Sequence, residues 1–238
     1  MIRSIAATAL LLFGSGATAQ TIQVNKENKT IAITATDSAE TEADVAEVSI
    51  GFSTYGPDQD QTYAEASRIS NQIVKSLADS GVKPDQIQSS QQSLTSIDID
   101  DKPRYAKGLR FAFTQSWKVT VKAGSAADVL HLAITNGANS SGGIDWKLSD
   151  DNALAAQAAE KALLHAREIA ERMAQGLHAK LGPLVYASNE MSQREFFGAR
   201  PNPMSSSIGR SKVNLKPLAI LPDKVSRSAT VYAVFAIE

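Results

Sequence analysis

Residues 136–152 read "NGANSSGGIDWKLSDDN", a run of small residues that leads into a short apolar alternation and an acidic helix start. Asn136 is typical of a helix end, Gly142 and Gly143 of a tight turn, and Ser149 of a helix cap. Three apolar residues share one face of the strand between them: Ile144, Trp146 and Leu148. Because the glycines precede a strand and not a helix, the stretch lacks the order of a phosphate-binding or dinucleotide-binding loop. We therefore interpret it as a connection whose glycines serve backbone geometry.

Two long helices are predicted on either side of this stretch. Residues 57–81 place Ala66, Ile69, Ile73 and Leu77 at helical spacing, and Gly81 ends the helix. The later helix covers about 26 residues, or roughly 40 Å, and ends at Gly176. Its predicted buried stripe is mostly alanine, joined by four larger residues: Leu154, Ile169, Met173 and Leu177. Such a stripe permits a close approach to a sheet.

Strands are predicted wherever apolar and polar residues alternate. The clearest alternations are 30–37, 43–56, 109–123 and 227–237. Each long helix ends at a glycine and leads into another extended segment, which suggests two related β-α-β modules. The pattern predicts an α+β fold with mixed, mainly antiparallel sheet(s) and the two long helices packed on one face.

The N-terminal segment 1–19 has the pattern of a secretory signal. Arg3 is followed by an apolar core from Ile5 to Phe13, and Ala17 and Ala19 form an A-x-A cleavage site. The apolar core is shorter than the roughly 20 residues that span a bilayer. We expect cleavage after Ala19 and a periplasmic protein without a transmembrane helix in its mature chain; a secreted or outer-membrane-associated protein is the alternative.

Composition excludes several classes of protein. The 238 residues carry a formal net charge of −1, which gives no electrostatic footprint for nucleic acid. The chain has no cysteine, so a disulfide scaffold and a thiolate metal site are excluded. An exported chain without cysteine suits a bacterial periplasm.

Candidate catalytic and metal-binding residues are sparse. His165 and Glu168 form an H-x-x-E pair, whereas a catalytic zinc site needs about three protein ligands. Three acidic residues near position 100 could contact a cation, but a calcium loop's central glycine is missing: Asp98, Asp100 and Asp101. We predict no cofactor and no catalytic site. The open alternative is an enzyme or small-ligand binder with a pocket between the sheet and the alanine-rich helix.

The segment 191–212 is predicted to be a mobile insertion, since it mixes Pro, Gly, Ser and basic residues without a sustained period. Aromatic and positively charged residues occur together in it: Arg194, Phe196, Phe197, Arg200 and Arg210. This combination suits docking to a partner protein or to an anionic envelope surface. These five residues form the candidate partner-contact loop.

The chain resembles the SIMPL-domain family, also called DUF541, over nearly all of residues 20–238. Four stretches carry the resemblance: 43–94, 108–121, 136–177 and 220–237. The third is the most specific, because a small-residue turn, a short strand, a Ser-Asp cap and an Ala-rich helix follow in the family's order.

The resemblance implies an α+β fold without an accepted catalytic motif. It implies a link to oxidative or envelope stress and assembly into an oligomer, since a bacterial periplasmic member forms a ring-like assembly. It assigns no role to any particular residue. We therefore expect a non-enzymatic exported protein that acts as a homo-oligomer and through contacts with an envelope protein partner.

Overall fold

The computed structural model describes residues 29–97, 107–190 and 216–238. Its strands and helices follow in this order: β1 (Thr30–Glu42), β2 (Val45–Gly56), α1 (Gln59–Asp79), β3 (Ile87–Ser96), β4 (Phe111–Lys122), α2 (Ala126–Thr135), β5 (Ile144–Lys147), α3 (Asp151–Gly176), β6 (Leu181–Glu190) and β7 (Lys224–Ile237). The predicted α+β class is confirmed, because helices and antiparallel strands alternate irregularly along the chain.

The described strands divide into two antiparallel sheets. One has the order β3-β4-β2-β5 and the other the order β1-β7-β6. The long helix α1 packs with α2 on the first sheet, and α3 packs on the second. Each long helix therefore has a sheet of its own.

The same supersecondary unit occurs once in each sheet. The inner module is β2-α1-β3-β4, in which β4 lies between β2 and β3. The outer module is β1, α3, β6 and β7, in which β7 lies between β1 and β6. In both, the flanking strands are antiparallel to the central one and hence parallel to each other. The two modules predicted from sequence are present, and each has one further strand, β4 in the inner module and β7 in the outer one. Along the chain, the inner module is inserted between β1 and α3 of the outer one.

Bulky aliphatic and aromatic side chains form the core of the inner module. Ile69, Ile73 and Leu77 of α1 are at most 6% exposed, as the helical spacing predicts. They meet the alternate residues of β2 and β4, among them Phe52 and Trp117, whose ring centroids are 5.9 Å apart. Full burial of each large apolar side chain contributes about 1.5–3 kcal/mol relative to exposure.

Alanine dominates the core of the outer module. Six α3 residues spaced four apart are buried against β1 and β7: Leu154, Ala158, Ala162, Ala166, Ala170 and Ala174. The predicted stripe is wrong at Met173 and Leu177, which are 46% and 62% exposed. The alanines allow the helix backbone to lie close to the sheet, and the buried face is then too narrow to include Met173. Leu177 lies just beyond the last residue of α3, Gly176.

A third apolar cluster joins the two modules. Ala39, Ala43, Leu154 and Val225 pack there beside the half-buried Trp146 of β5. Trp146 also packs against the inner core, so one side chain contacts both clusters. The short strand β5 thereby ties the inner sheet to the start of α3.

Candidate functional site

The segment from Asn139 to Gly143 continues the pairing of β5 along the edge of β2. The backbone N–H groups of Asn139 and Ser140 both donate to the carbonyl oxygen of Gly51 at 3.0 Å. Farther along, the N–H of Ser49 donates to the carbonyl of Gly143 at 2.7 Å. The segment is therefore an irregular extension of the sheet, held to β2 by these backbone hydrogen bonds and by that from the N–H of Gly142 to the Ser49 carbonyl at 3.2 Å.

Side chains of the same segment are also engaged with β2. The amide of Asn139 accepts from the N–H of Ser53 at 2.8 Å and donates to the Ser53 carbonyl at 2.9 Å. A Cβ placed on Gly51 would lie 2.7 Å from the carbonyl oxygen of Ser140, so this close approach requires glycine. Gly137 and Gly142 have φ of 115° and 134°, which favour glycine. The segment thus fits a structural connection, as the sequence predicted.

Asp44 fixes the position of this connection at the start of α3. Its carboxylate accepts from the hydroxyl of Ser149 and from the Ser149 N–H, the latter at 2.8 Å. These two hydrogen bonds hold the pKa of Asp44 below its ordinary value. The helix cap is Asp150, whose carboxylate accepts from the Asn152 N–H at 2.9 Å. The prediction that Ser149 caps α3 is therefore wrong by one residue, because its hydroxyl is turned toward Asp44.

Glu47 is an enclosed ion-paired carboxylate, with a side chain 13% exposed. It accepts from Nζ of Lys118 at 2.6 Å and from Nζ of Lys147 at 2.7 Å. These hydrogen bonds, that from Lys118 first, hold its pKa below the ordinary value. The three residues cross-link β4, β2 and β5 on the sheet face opposite α1. The ion pair therefore has a structural explanation.

The histidines do not form a metal centre in the part of the chain that the structure describes. His165 and Glu168 are exposed on α3, and His178 follows the helix end with φ of 56°. Within the described ranges, no three His, Asp or Glu side chains are grouped closely enough to hold a metal ion.

The strand β6 presents an exposed apolar edge. Three consecutive residues at its middle are large and exposed: Leu184 (44%), Val185 (57%) and Tyr186 (41%). The helix α3 packs mainly over β1 and β7 and touches β6 much less. One edge of β6 pairs with β7, and no strand among the described residues pairs with its other edge. An unpaired apolar strand of this kind favours pairing with another chain.

Two open grooves lie along α1. One, about 260 Å³, is lined by Arg68 and Gln72 of α1 and by the end of α2. The other, about 490 Å³, lies between α1 and the strands β3 and β4. The pocket between the sheet and the alanine-rich helix, which the sequence left open as an alternative, coincides with neither groove, since both lie beside α1.

Several residues singled out from the sequence lie outside the described ranges. They are the signal segment 1–19, the acidic residues Asp98, Asp100 and Asp101, and the candidate partner-contact loop of Arg194, Phe196, Phe197, Arg200 and Arg210. The β6 edge and the larger groove were not predicted. The run "LVY" at 184–186 breaks the alternation of a half-buried strand, and "QSSQQS" at 88–93 has no apolar face. Both signals were available in the sequence.

The chain belongs to a recognised family. Two antiparallel sheets, each backed by a long helix, define an α+β domain that starts in β1 and ends in β7. The model of the SIMPL family, described as a protein of unknown function (DUF541), matches residues 31–235, and the chain is therefore a member of that family. The matched range runs through both modules. No curated protein matches the chain.

Proposed function

We propose that this SIMPL protein is a non-enzymatic, exported envelope protein that acts through self-association and partner contacts, and that two copies associate through β6. The observation that carries the proposal is the exposed apolar triplet Leu184, Val185 and Tyr186 on an edge that no described strand covers. Burying these side chains, each now about half exposed, stabilises an association by about 3 kcal/mol.

A second copy of the chain is the occupant that β6 fits best. The apolar triplet of the strand Leu181–Glu190 is centred on Val185. An antiparallel pairing about a two-fold axis at Val185 sets this residue against Val185 of the second copy, and Leu184 against its Tyr186. Residues 181–189 carry no charged side chain that would repel such a neighbour. Pairing in this register extends the outer sheet across both copies.

The start of β6 sets a limit to this pairing. Pro183 has no N–H to donate, and the register with β7 shifts between Leu181 and Leu184 and again between Leu184 and Tyr186. These irregularities twist the first part of the edge away from regular pairing. We expect the closest contact to be confined to residues 184–186.

Light scattering of the purified protein tests the association. We expect at least twice the chain mass, and Val185→Lys should weaken association by about tenfold or more because two lysines would meet near the axis. The matched control is Gln91→Lys on β3, which is also an exposed position on an edge strand. A monomeric wild type at high concentration, or equal effects of both variants, contradicts the proposal.

The candidate partner-contact loop is part of the same proposal. Deleting residues 194–210 should reduce partner capture or alter association while leaving the melting temperature nearly unchanged. Crosslinking in envelope extract, followed by mass measurement of the intact complex, provides the readout. A deletion that unfolds the domain, or one that leaves capture and association unchanged, argues against a contact role for Arg194 and its neighbours.

The predicted secretory signal 1–19 favours a role in the envelope, and export is tested separately. In a bacterial host that expresses the full chain, we expect the protein in the periplasmic fraction with Gln20 as its first residue. A protein that stays in the cytoplasm with Met1 intact would contradict this part of the proposal. In the described residues, no helix is long and apolar enough to cross a bilayer.

A further inference from the structure

The groove between α1 and β3 has the composition of a ligand site. We propose that it binds an uncharged, polyhydroxylated ligand of the neutral oligosaccharide class. The inference is independent of the association through β6, since the groove belongs to the inner module and β6 to the outer one.

The groove exists because α1 does not cover the whole inner sheet. The helix packs over β2 and β4, while β3 extends the sheet beyond it. Phe113 of β4 and Leu94 of β3 are paired in register and lie half-buried at the floor. The volume of about 490 Å³ is within the range of about 300–1,000 Å³ that is usual for small-molecule sites.

Uncharged hydrogen-bonding side chains line the groove. None of the ten residues around it is charged, and besides Tyr63 six carry an amide or aliphatic hydroxyl group: Ser67, Ser70, Asn71, Gln92, Ser93 and Gln115. In the described structure, none of these six side chains forms a hydrogen bond with another protein group. They remain available to a ligand that offers many donors and acceptors, as the hydroxyl groups of a sugar do.

In the smaller groove beside α1, by contrast, polar side chains are hydrogen-bonded to one another. There, Arg68 donates to Glu65 at 2.7 Å and to Gln72 at 3.0 Å. Gln72 in turn donates to Asn136 at 3.3 Å. These side chains hold one another in place and link α1 to the end of α2. The polar groups of the larger groove have no such internal role.

An aromatic ring at the groove supplies the apolar surface that a sugar ring needs. Tyr63 is 58% exposed, and its ring contacts that of Phe113 edge-on, with centroids 6.1 Å apart and an interplanar angle of 74°. This contact fixes the orientation of the tyrosine ring and leaves much of it accessible. A sugar can place its C–H groups on such a ring while its hydroxyl groups bond to the amides.

Other ligand classes fit the groove less well. A phosphate, a nucleic acid or an acidic glycan requires cations, and the lining has none. An extended peptide adds to a sheet edge by regular backbone pairing. The edge beside the groove is distorted, because the register of β3 with β4 shifts between Ser89 and Gln91, and it therefore suits an added peptide strand less well.

Calorimetric titration with three neutral trisaccharides tests the proposal: maltotriose, cellotriose and triacetylchitotriose. We expect saturable binding of at least one, with an affinity that changes less than about twofold between low and high salt. Tyr63→Ala and Asn71→Ala should each weaken it by about tenfold, and Ser70→Trp should abolish it by filling the groove. Circular dichroism melting checks that each variant is folded.

Tyr186→Ala on β6 is the matched control, because it also removes an exposed tyrosine and should leave saccharide binding unchanged. The proposal is overturned if none of the three trisaccharides binds saturably, or if binding survives both Tyr63→Ala and Ser70→Trp. Tighter binding of an unstructured peptide than of every saccharide also overturns it. Val185→Lys, which tests the association, should leave saccharide affinity unchanged, so the two proposals can fail separately.

Discussion

The inner and outer modules share one strand order but differ in how the helix meets the sheet. In the inner module, Ile73 and its neighbours on α1 fill the space above β2 and β4 with large side chains. In the outer module, alanines such as Ala166 bring α3 close to β1 and β7. The same arrangement of elements is therefore stabilised by the packing of large side chains in the inner module, and by the close approach of the helix backbone to the sheet in the outer module.

The two modules differ again at the strand that the helix covers least. That strand is polar in the inner module, where β3 carries Gln and Ser residues, and apolar at its centre in the outer module, where β6 carries Leu184 and Val185. A polar uncovered strand beside a groove suits a small polar ligand, and an apolar uncovered edge suits another chain. The comparison shows how one topology provides two different surfaces.

The largest expected effect of a single substitution is in the inner core. Ile73→Ala removes a side chain that is 0% exposed and leaves a cavity, so the free energy of unfolding should fall by roughly 4 kcal/mol. Denaturant unfolding measures it, and Ile134→Ala, at a position 41% exposed, is the control with an expected loss below about 1 kcal/mol. Equal losses in the two variants would show that α1 does not depend on bulky packing.

The opposite substitution tests the outer module. Ala166→Leu adds volume where α3 meets the sheet without a gap, so overpacking should cost about 3 kcal/mol. The control is Ala156→Leu on the exposed face of the same helix, where a change within about 0.5 kcal/mol is expected. If Ala166→Leu proves neutral in denaturant unfolding, the close approach of α3 to β7 is not required.

A smaller effect is expected at the edge of β2, along which the 139–143 segment lies. The outer module has no described counterpart of this segment. Gly51→Ala places a methyl group 2.7 Å from the Ser140 carbonyl oxygen, which should displace the 139–143 segment and cost about 2 kcal/mol. Faster hydrogen exchange of the amides of Asn139 and Ser140 would locate the change. Gly176→Ala has open space around it and should be neutral or slightly stabilising. Equal behaviour of the two glycine variants would refute the close-approach argument.

The smallest predicted effect concerns ion pairs and pH. Because the pKa of Glu47 is lowered in the folded state, its stabilisation is present above the ordinary glutamate pKa of about 4.3 and is lost as the pH falls below it. Glu47→Gln should reduce stability at pH 7 by about 1 kcal/mol and flatten its acid dependence. Glu171→Gln, from the exposed pair with Arg167 on α3, should change it by less than about 0.5 kcal/mol. If the stability of Glu47→Gln falls at low pH as steeply as that of the wild type, the Glu47 ion pairs are not the cause of the acid dependence.

Local patterns in the sequence were enough to predict most elements of the fold. The alternation in residues 227–237 correctly placed Ala229, Val231, Ala233 and Phe235 on one buried face. Periodicity also identified the buried face of α1. It failed at Met173, because the width of a helix's buried face depends on how closely the sheet approaches, which is a tertiary property. It also failed at Leu177, because α3 ends one residue earlier.

The candidate surfaces were harder to predict than the elements. Whether Val185 is exposed depends on β6 being an edge strand, and that follows from the order β1-β7-β6, which joins residues distant in sequence. The groove beside β3 depends likewise on where α1 lies across the inner sheet. Ser149 was assigned as a helix cap because its partner Asp44 is 105 residues away along the chain. Each of these features depends on long-range contacts that local periodicity does not contain.

Disulfide crosslinking between copies is the most direct test of association through β6, because the chain has no cysteine of its own. Single cysteines placed in turn at Val185, Tyr186, Ala187 and Ser188 should form dimers under mild oxidation most strongly at Val185, and little or not at all at Ala187 and Ser188, because a disulfide needs Cα atoms within about 7 Å. Gln91→Cys on the polar edge strand β3 should remain monomeric under the same conditions. Equal crosslinking at Gln91 and along β6, or none along β6, would contradict the account.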